Sequence, residues 1–370
     1  MPESNGTVWL DFEQLKNFIT DVFKGVGVPD DEAVICADVV IASDKRGIDS
    51  HGIGRMKQFY YDRVKEGIQE PVTNFQVVRD GLTTGVVDGN NGMGQVIAKK
   101  SMELAIRKAS KYGMGMVAVK NSTHYGIAGY YVNMATDAGM IGITGTNARP
   151  SIAPTFGVDN MLGTNPLAFG MPTDEDFPFI IDAATSVAQR GKIEVYAREK
   201  KEMPPGWVIG IDGKDRIDPV QTLRDLTEGT AALAPLGGIG EETAGYKGYG
   251  YATAVEILSA ALQGGNFLNM LTGIEDCQKV PFRLGHFFIA IDIKCFTELA
   301  DFKKTTGDIL RKLRASQKAP GHDRIYTAGE KEYLAWLERK DKGVPVTPPI
   351  QKDIITMKNE LKLDNYKFPF

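Results

Sequence analysis

Cysteine is scarce in this 370-residue chain: Cys36, Cys277 and Cys295 are few, odd in number and far apart. No CxxC pair exists, so neither a disulfide framework nor a zinc ribbon is expected. Reduced thiols in a cytosolic compartment fit that usage. Charge of one sign is also lacking. The 43 basic and 47 acidic residues leave a net charge of −4, which argues against general nucleic-acid binding and a polybasic membrane patch. No apolar run reaches membrane-spanning length. The N-terminus has no cationic region followed by an apolar core, so no signal peptide is expected and the location is read as cytoplasmic. Internal repeats, low-complexity segments and a Walker A sequence are absent.

What is present belongs to an ordinary globular protein. At 42% hydrophobic and 24% charged residues, the chain can bury a core large enough for two domains or one large one. The first 65 residues read as helices. Phe12, Leu15, Phe18, Ile19, Val22 and Phe23 recur at helical spacing, a second helix carries Val34 to Ile41, and a third spans Gly54 to Lys65. The middle holds short β-prone runs at Phe75–Val78, Thr84–Asp88, Met114–Val119, Ile141–Thr144, Leu167–Gly170 and Phe177–Ile181. Helical patterns at 95–112 and 127–137 separate some of them. Residues 187–245 read as mixed, with probable loops. A helix at 249–262 and a strand at 286–292 follow, and the end is helical again. The expected fold class is α+β. Helices from both ends, residues 1–72 and 293–370, would form one domain beside a central domain of residues 73–292.

Two glycine-rich stretches test for nucleotide binding. Gly89, Gly92 and Gly94 follow a strand-like run and open a helix, which invites a Rossmann reading. The third glycine of that fingerprint falls on Ile97, and the strand that should end in an acid ends in Lys120. A turn cluster is the better account, so any nucleotide must be held by another fold. Gly245-Tyr246-Lys247-Gly248 runs into a helix. Its backbone N–H groups and Lys247 would suit a phosphate, and a flexible loop before an ordinary helix accounts for it equally well.

Histidine is scarcer still than glycine or proline, with four in the chain. His51 and His124 lie in polar breaks, Ser50-His51-Gly52 and Asn121-Ser122-Thr123-His124-Tyr125-Gly126. Imidazole gives and takes protons near neutrality, so the pair points to acid–base chemistry on a small molecule. Arg55 lies one helical turn beyond His51, on the same face, where a guanidinium can fork a carboxylate. Taken alone, each histidine also reads as structural and the arginine as a surface ion pair.

These motifs, in order with Thr146-Asn147, Leu162-Gly163-Thr164-Asn165-Pro166, Ile181-Asp182-Ala183-Ala184-Thr185-Ser186 and Tyr246-Lys247-Gly248-Tyr249-Gly250, resemble the second malate/L-lactate dehydrogenase family. That family is unrelated to the Rossmann enzymes of those names and includes sulfolactate, ureidoglycolate, diketogulonate and cyclic-imine reductases. The likeness runs from about Phe12 to Leu363. It implies a non-Rossmann NAD(P)-binding α/β domain, a homodimer, and hydride transfer between NAD or NADP and a small 2-hydroxy or 2-oxo acid, with no metal. Malate and oxaloacetate are the leading expectation. Other family substrates, or a dinucleotide-binding relative without catalysis, are the alternatives.

The resemblance also implies roles. His51 and His124 line the site, one moving the proton and the other polarising the substrate oxygen, with Arg55 on the carboxylate and Ser50 beside it. Asp182 serves the cofactor and catalysis, or caps a helix. Cofactor contacts carry over to Ala148, to Ile181, Asp182, Ala183, Ala184, Thr185, Ser186 and Val187, to Tyr246 and Lys247, and to Gly329, Glu330 and Lys331. Ala328 replaces the usual proline before that last segment. Lys192 is a further substrate contact. Arg149 stands where several relatives carry a neutral or acidic residue, which favours a second carboxylate on the substrate; a plain surface arginine is the alternative. Phe59 replaces a frequent tyrosine, which puts in doubt a hydroxyl contact from that helix. His286 is expected to be structural and His322 has no assigned role.

Overall fold

A computed structural model describes residues 6–370, so the first five residues of the expected 1–72 segment lie outside the described residues. The two ends of the chain are stitched together. Val8–Leu10 pairs antiparallel with Val344–Val346, with Trp9 opposite Pro345. Helix Phe12–Gly25 follows, and the Asp11 carboxylate caps it by accepting the N–H groups of Glu13 and Gln14, each at 2.9 Å. Its apolar stripe buries Leu15, Phe18, Ile19, Val22 and Phe23 against Cys36, Ala37, Val40 and Ile41 of helix Asp30–Lys45. Ile354 and Met357 of helix Pro348–Glu360 and the ring of Tyr366 close the same core. One apolar core thus draws on both chain ends.

The central sheet has seven strands in the order Gln76–Asp80, Thr84–Asp88, Met114–Ser122, Leu284–Asp292, Met140–Thr146, Leu167–Met171, Phe179–Ala183. Thr84–Asp88 and Met114–Ser122 are its parallel pair, joined by the crossover helix Gly94–Tyr112; the other neighbours are antiparallel. A doubly wound nucleotide fold needs a run of parallel strands, and this sheet cannot be one. The fold is α+β and non-Rossmann. Gly115, Ala290, Gly142 and Gly170 form a row of small residues across four strands. The row lets helices Gly94–Tyr112 and Ala128–Asp137 approach closely: a Cβ at Gly142 or Gly170 would press on Val132. Helix Gly245–Ala260 covers the opposite face, with Ser259 over Gly285.

Residues 187–245, read as mixed with loops, contain helices Arg190–Glu199 and Pro219–Glu228 and the strand pair Val208–Gly210/Ala231–Leu233. Helix Arg190–Glu199 buries only Ile193, so it leaves no apolar stripe to read. The helix expected from Tyr249 begins at Gly245; its glycine-rich first turn lacks helix-forming side chains, which hides that start in the sequence. Among the described residues no helix is long and apolar enough to cross a membrane.

Candidate active site

The sheet delivers His124 to one end of the molecule. Strand Met114–Ser122 runs out at Thr123, whose hydroxyl donates to Gly92 O at 2.8 Å and accepts the Gly94 N–H at 2.9 Å. That bond occupies the first N–H of helix Gly94–Tyr112, so the Gly89–Gly94 cluster is a locking turn and not a phosphate cradle. His124 follows at once. Gly126, at φ +82°, turns the chain into helix Ala128–Asp137.

His51 arrives from the terminal helices. Its loop rests on Asp44, a buried carboxyl that accepts the Ile53 N–H at 3.0 Å. Gly52 must be glycine, since a Cβ there would overlap the Asp44 carboxyl. Burial pushes Asp44 up to about 8, so it carries a proton at neutral pH. Arg339, from helix Glu330–Arg339, donates to Asp44 O at 2.8 Å and forks Asp49 at 2.5 and 2.9 Å, bracing the loop from the C-terminal side.

The structure brings the two imidazoles together. Their rings stack with centroids 5.7 Å apart and planes 20° apart. Ser50 Oγ lies 2.9 Å from Nδ1 of His51, and Arg55 Nε donates to Ser50 O at 2.5 Å. Tyr60 OH lies 2.7 Å from Nδ1 of His124, and the Gly126 N–H points to the same nitrogen at 3.4 Å. A backbone N–H can only donate, so Nδ1 of His124 is the acceptor and the neutral ring carries its proton on Nε2. Burial, then the Arg55 charge, lowers His51 to about 4. Burial, then His51, Arg63 and Arg55, pushes His124 well below its ordinary value. Both rings are neutral at pH 7.

The hydroxyl contact that Phe59 had put in doubt is supplied by its neighbour. Residues Lys57–Tyr61 form a π-helical turn, which adds a residue to the turn and swings Tyr60 onto His124 while Phe59 meets the same ring edge-on at 5.1 Å. Arg63 was missed by the sequence reading. Its guanidinium stacks on Phe59 and on Phe282, each at 4.5 Å, and Arg55 lies 4.8 Å from the centre of the same Phe59 ring. The readable signal was Arg55, Phe59 and Arg63 at steps of four from His51. Arg149 is exposed, and its charge acts on Arg63, which burial, Arg149 and Arg55 together lower to about 10. Among the described residues none of these three arginines has a carboxylate within ion-pair distance.

Asp182 sits on edge strand Phe179–Ala183 and accepts the Gly129 N–H at 2.7 Å, capping the helix that begins just past His124. Asp182 is exposed on this edge strand, yet the protein packed around its carboxyl keeps water off it and raises it to about 6 despite that bond. His51, Ser50, Asp182 and Ala184 line one small cavity of about 110 Å³. Asp182, Ile48 and Ile127 also line an adjoining one of about 260 Å³, walled by Phe177, Tyr333 and Trp336 and edged by Gly329 and Glu332. Apolar walls with both carboxylates and the cations Lys45 and Arg46 around them suit a flat ligand that carries polar groups. Ser186 Oγ is buried without a partner, a free group for a ligand.

The remaining candidates fall around this cleft or apart from it. Thr185 is pinned to Thr164 and Asn165, and its carbonyl accepts the Leu236 N–H at 2.7 Å, while Val187 N–H bonds Ala234. Leu236 packs under Gly248, which places Tyr246 and Lys247 next to the Ile181–Val187 segment. The Ala148 N–H donates to Asn165 Oδ1 at 3.2 Å. Gly329, at φ +92°, packs on Pro178 O. The Glu330 carboxylate is spent within the protein, on the Thr327 N–H and on Arg324 and Arg314. Lys331 stacks on Tyr326 at 5.0 Å and Lys192 on Trp207 at 4.6 Å, so the structure shows neither beside the imidazoles. His286 is buried, bonded to Thr146 Oγ1 at 2.7 Å and stacked on Tyr125 at 4.5 Å, and His322 is exposed.

A malate/L-lactate dehydrogenase family model matches residues 10–355. The malate dehydrogenase of Pyrococcus horikoshii is 40% identical over 92% of this chain and 92% of its own. The L-sulfolactate dehydrogenase of Methanocaldococcus jannaschii is 39% identical over 95% of this chain and 97% of its own. The crystal structure of malate dehydrogenase from Entamoeba histolytica superposes with a TM-score of 0.93 at 44% identity, covering 98% of this chain and all (100%) of that one. With the paired imidazoles in place and residues 10–355 matched, the chain belongs to the malate/L-lactate dehydrogenase family.

Proposed function

We propose that this protein oxidises malate to oxaloacetate, and the reverse, with NAD or NADP. The observation that carries the reading is the stacked His51–His124 pair with Arg55, Arg63 and Arg149 unneutralised around it. The nicotinamide ring supplies or accepts the hydride. His124, held with Nδ1 as acceptor, offers Nε2–H to the substrate oxygen and polarises it. His51 donates Nδ1–H to Ser50 Oγ and so keeps Nε2 as the base that takes the hydroxyl proton and returns it on reduction. Their low proton affinity in the free protein leaves both rings neutral for these tasks, and a bound dianion shifts them upward. Arg55 forks the carboxylate next to the reacting carbon, and the exposed Arg149 adds positive charge at the mouth that favours a second one. Lys192 would serve from the rim.

Asp182, Ile181 and Ala183 to Val187, with Ala148, Tyr246, Lys247, Gly329, Glu330 and Lys331, are the proposed cofactor surface. Asp182 and Ser186 offer polar contacts, and the small residues between them allow close approach. The family reading also supports a homodimer in the cytoplasm and a division into residues 73–292 and the joined ends 1–72 and 293–370. A second reading is favoured by the same arginines: a sulfonate is also an anion, and the M. jannaschii relative is named for L-sulfolactate. The test is a panel of 2-oxo acids, oxaloacetate, 3-sulfopyruvate and pyruvate, followed by nicotinamide absorbance with each cofactor. Oxaloacetate should give the largest kcat/KM. No oxidation of the cofactor with any of them would reject the reading.

A further inference from the structure

We propose that Arg63, mounted between Phe59 and Phe282, is the residue that fixes the second anionic group of a dianionic 2-oxo acid. The inference rests on the dehydrogenase reading above and names a specificity residue within it. An arginine kept for structure normally spends its five N–H donors on carboxylates or carbonyls. Arg63 spends none within the protein among the described residues. The nearby Glu66 is engaged by Lys279, at 2.7 and 2.8 Å. The two phenyl rings contact the guanidinium, each centroid 4.5 Å from its central carbon, and leave N–H groups open. Those N–H groups fork a carboxylate or a sulfonate.

The placement fits a small dianion. The Phe59 ring centre lies 4.8 Å from the Arg55 guanidinium and 4.5 Å from that of Arg63, and the ring meets His124 edge-on at 5.1 Å. One ring therefore sets the spacing between the two cations and the imidazole at the reacting carbon. Arg63 is half-buried and held by two rings; Arg149 is exposed and free to turn. Arg63 therefore gives the fixed point, and Arg149 adds charge at the mouth. Burial, and after it the like charges of Arg149 and Arg55, lower Arg63 to about 10, and it is still a cation at neutral pH. A dianion relieves that repulsion and a monoanion leaves part of it standing.

The experiment compares kcat/KM for oxaloacetate and for pyruvate in wild type, Arg63→Met, Arg63→Lys and Phe282→Leu. The wild type should favour oxaloacetate. That ratio should fall about 100-fold in Arg63→Met and about tenfold in Arg63→Lys, which keeps the charge and loses the fork. Phe282→Leu loosens the mount without touching the charge, and should lower the ratio several-fold; it serves if Arg63→Met does not fold. Equal losses on both acids, or an unchanged ratio in soluble Phe282→Leu, would overturn the assignment of Arg63 and leave the dehydrogenase standing. A wild type that reduces neither acid takes both away.

Discussion

The Tyr60 hydroxyl lies 2.7 Å from Nδ1 of His124, and with the Gly126 N–H it decides which nitrogen of that ring carries the proton. Tyr60→Phe removes the stronger of the two donors and keeps the ring volume. We expect kcat to fall about 10- to 100-fold with little change in the cofactor KM, since only the aim and tautomer of His124 are disturbed. Steady-state rates on both substrates check this, and an unaltered kcat would end the role of Tyr60.

Asp182 gives a pH dependence. Its carboxyl, raised to about 6, is ionised only above that value in the free protein. If the ionised form orients helix Ala128–Asp137 and the cofactor, kcat/KM rises with pH through about 6. Asp182→Asn keeps an acceptor for Gly129 N–H and cannot ionise, so it should lose that limb of the profile together with about 10- to 1000-fold in rate. A variant retaining the same limb would assign it to another group.

Asp44 gives a stability dependence of definite sign. The folded carboxyl, at about 8, holds its proton more tightly than an unfolded aspartate. Its contribution is therefore full below the unfolded value near 4 and is lost as pH rises towards 8. Asp44→Asn does not titrate. Between pH 5 and 9 the wild type should lose stability relative to the variant, on the order of a few kcal/mol. Urea melts at several pH values read the difference, and parallel curves would contradict it.

Arg149→Ala separates a substrate contact from a surface charge. We expect turnover of malate to fall about tenfold more than turnover of lactate, because only malate presents a second carboxylate. Equal losses on the two substrates would leave Arg149 a surface residue.

Much of this site was legible in the sequence for a physical reason. His51 and His124 lie in polar breaks where an apolar pattern stops, and such breaks mark chain ends of elements, where side chains gather. The core of the terminal helices was equally plain, because Leu15, Phe18, Ile19 and Val22 repeat at the helical period. Tyr60 was hidden because a π-helical turn breaks that period, and counting by four from His51 lands on Phe59 instead. Arg63 and Asp44 were hidden because a charge on a helix reads as solvated until the rings around one and the glycine over the other are seen. The antiparallel sheet order needed the strand at Leu284–Asp292 to insert between Met114–Ser122 and Met140–Thr146, a pairing across more than a third of the chain that no local pattern encodes.

The Arg339 fork onto Asp49 has a consequence for biosynthesis. The two partners are 290 positions apart, and the loop bearing His51 leaves the ribosome long before its brace exists. A nascent chain interrupted ahead of Arg339 would carry both imidazoles and every strand of the sheet, with the loop bearing His51 resting on Asp44 alone.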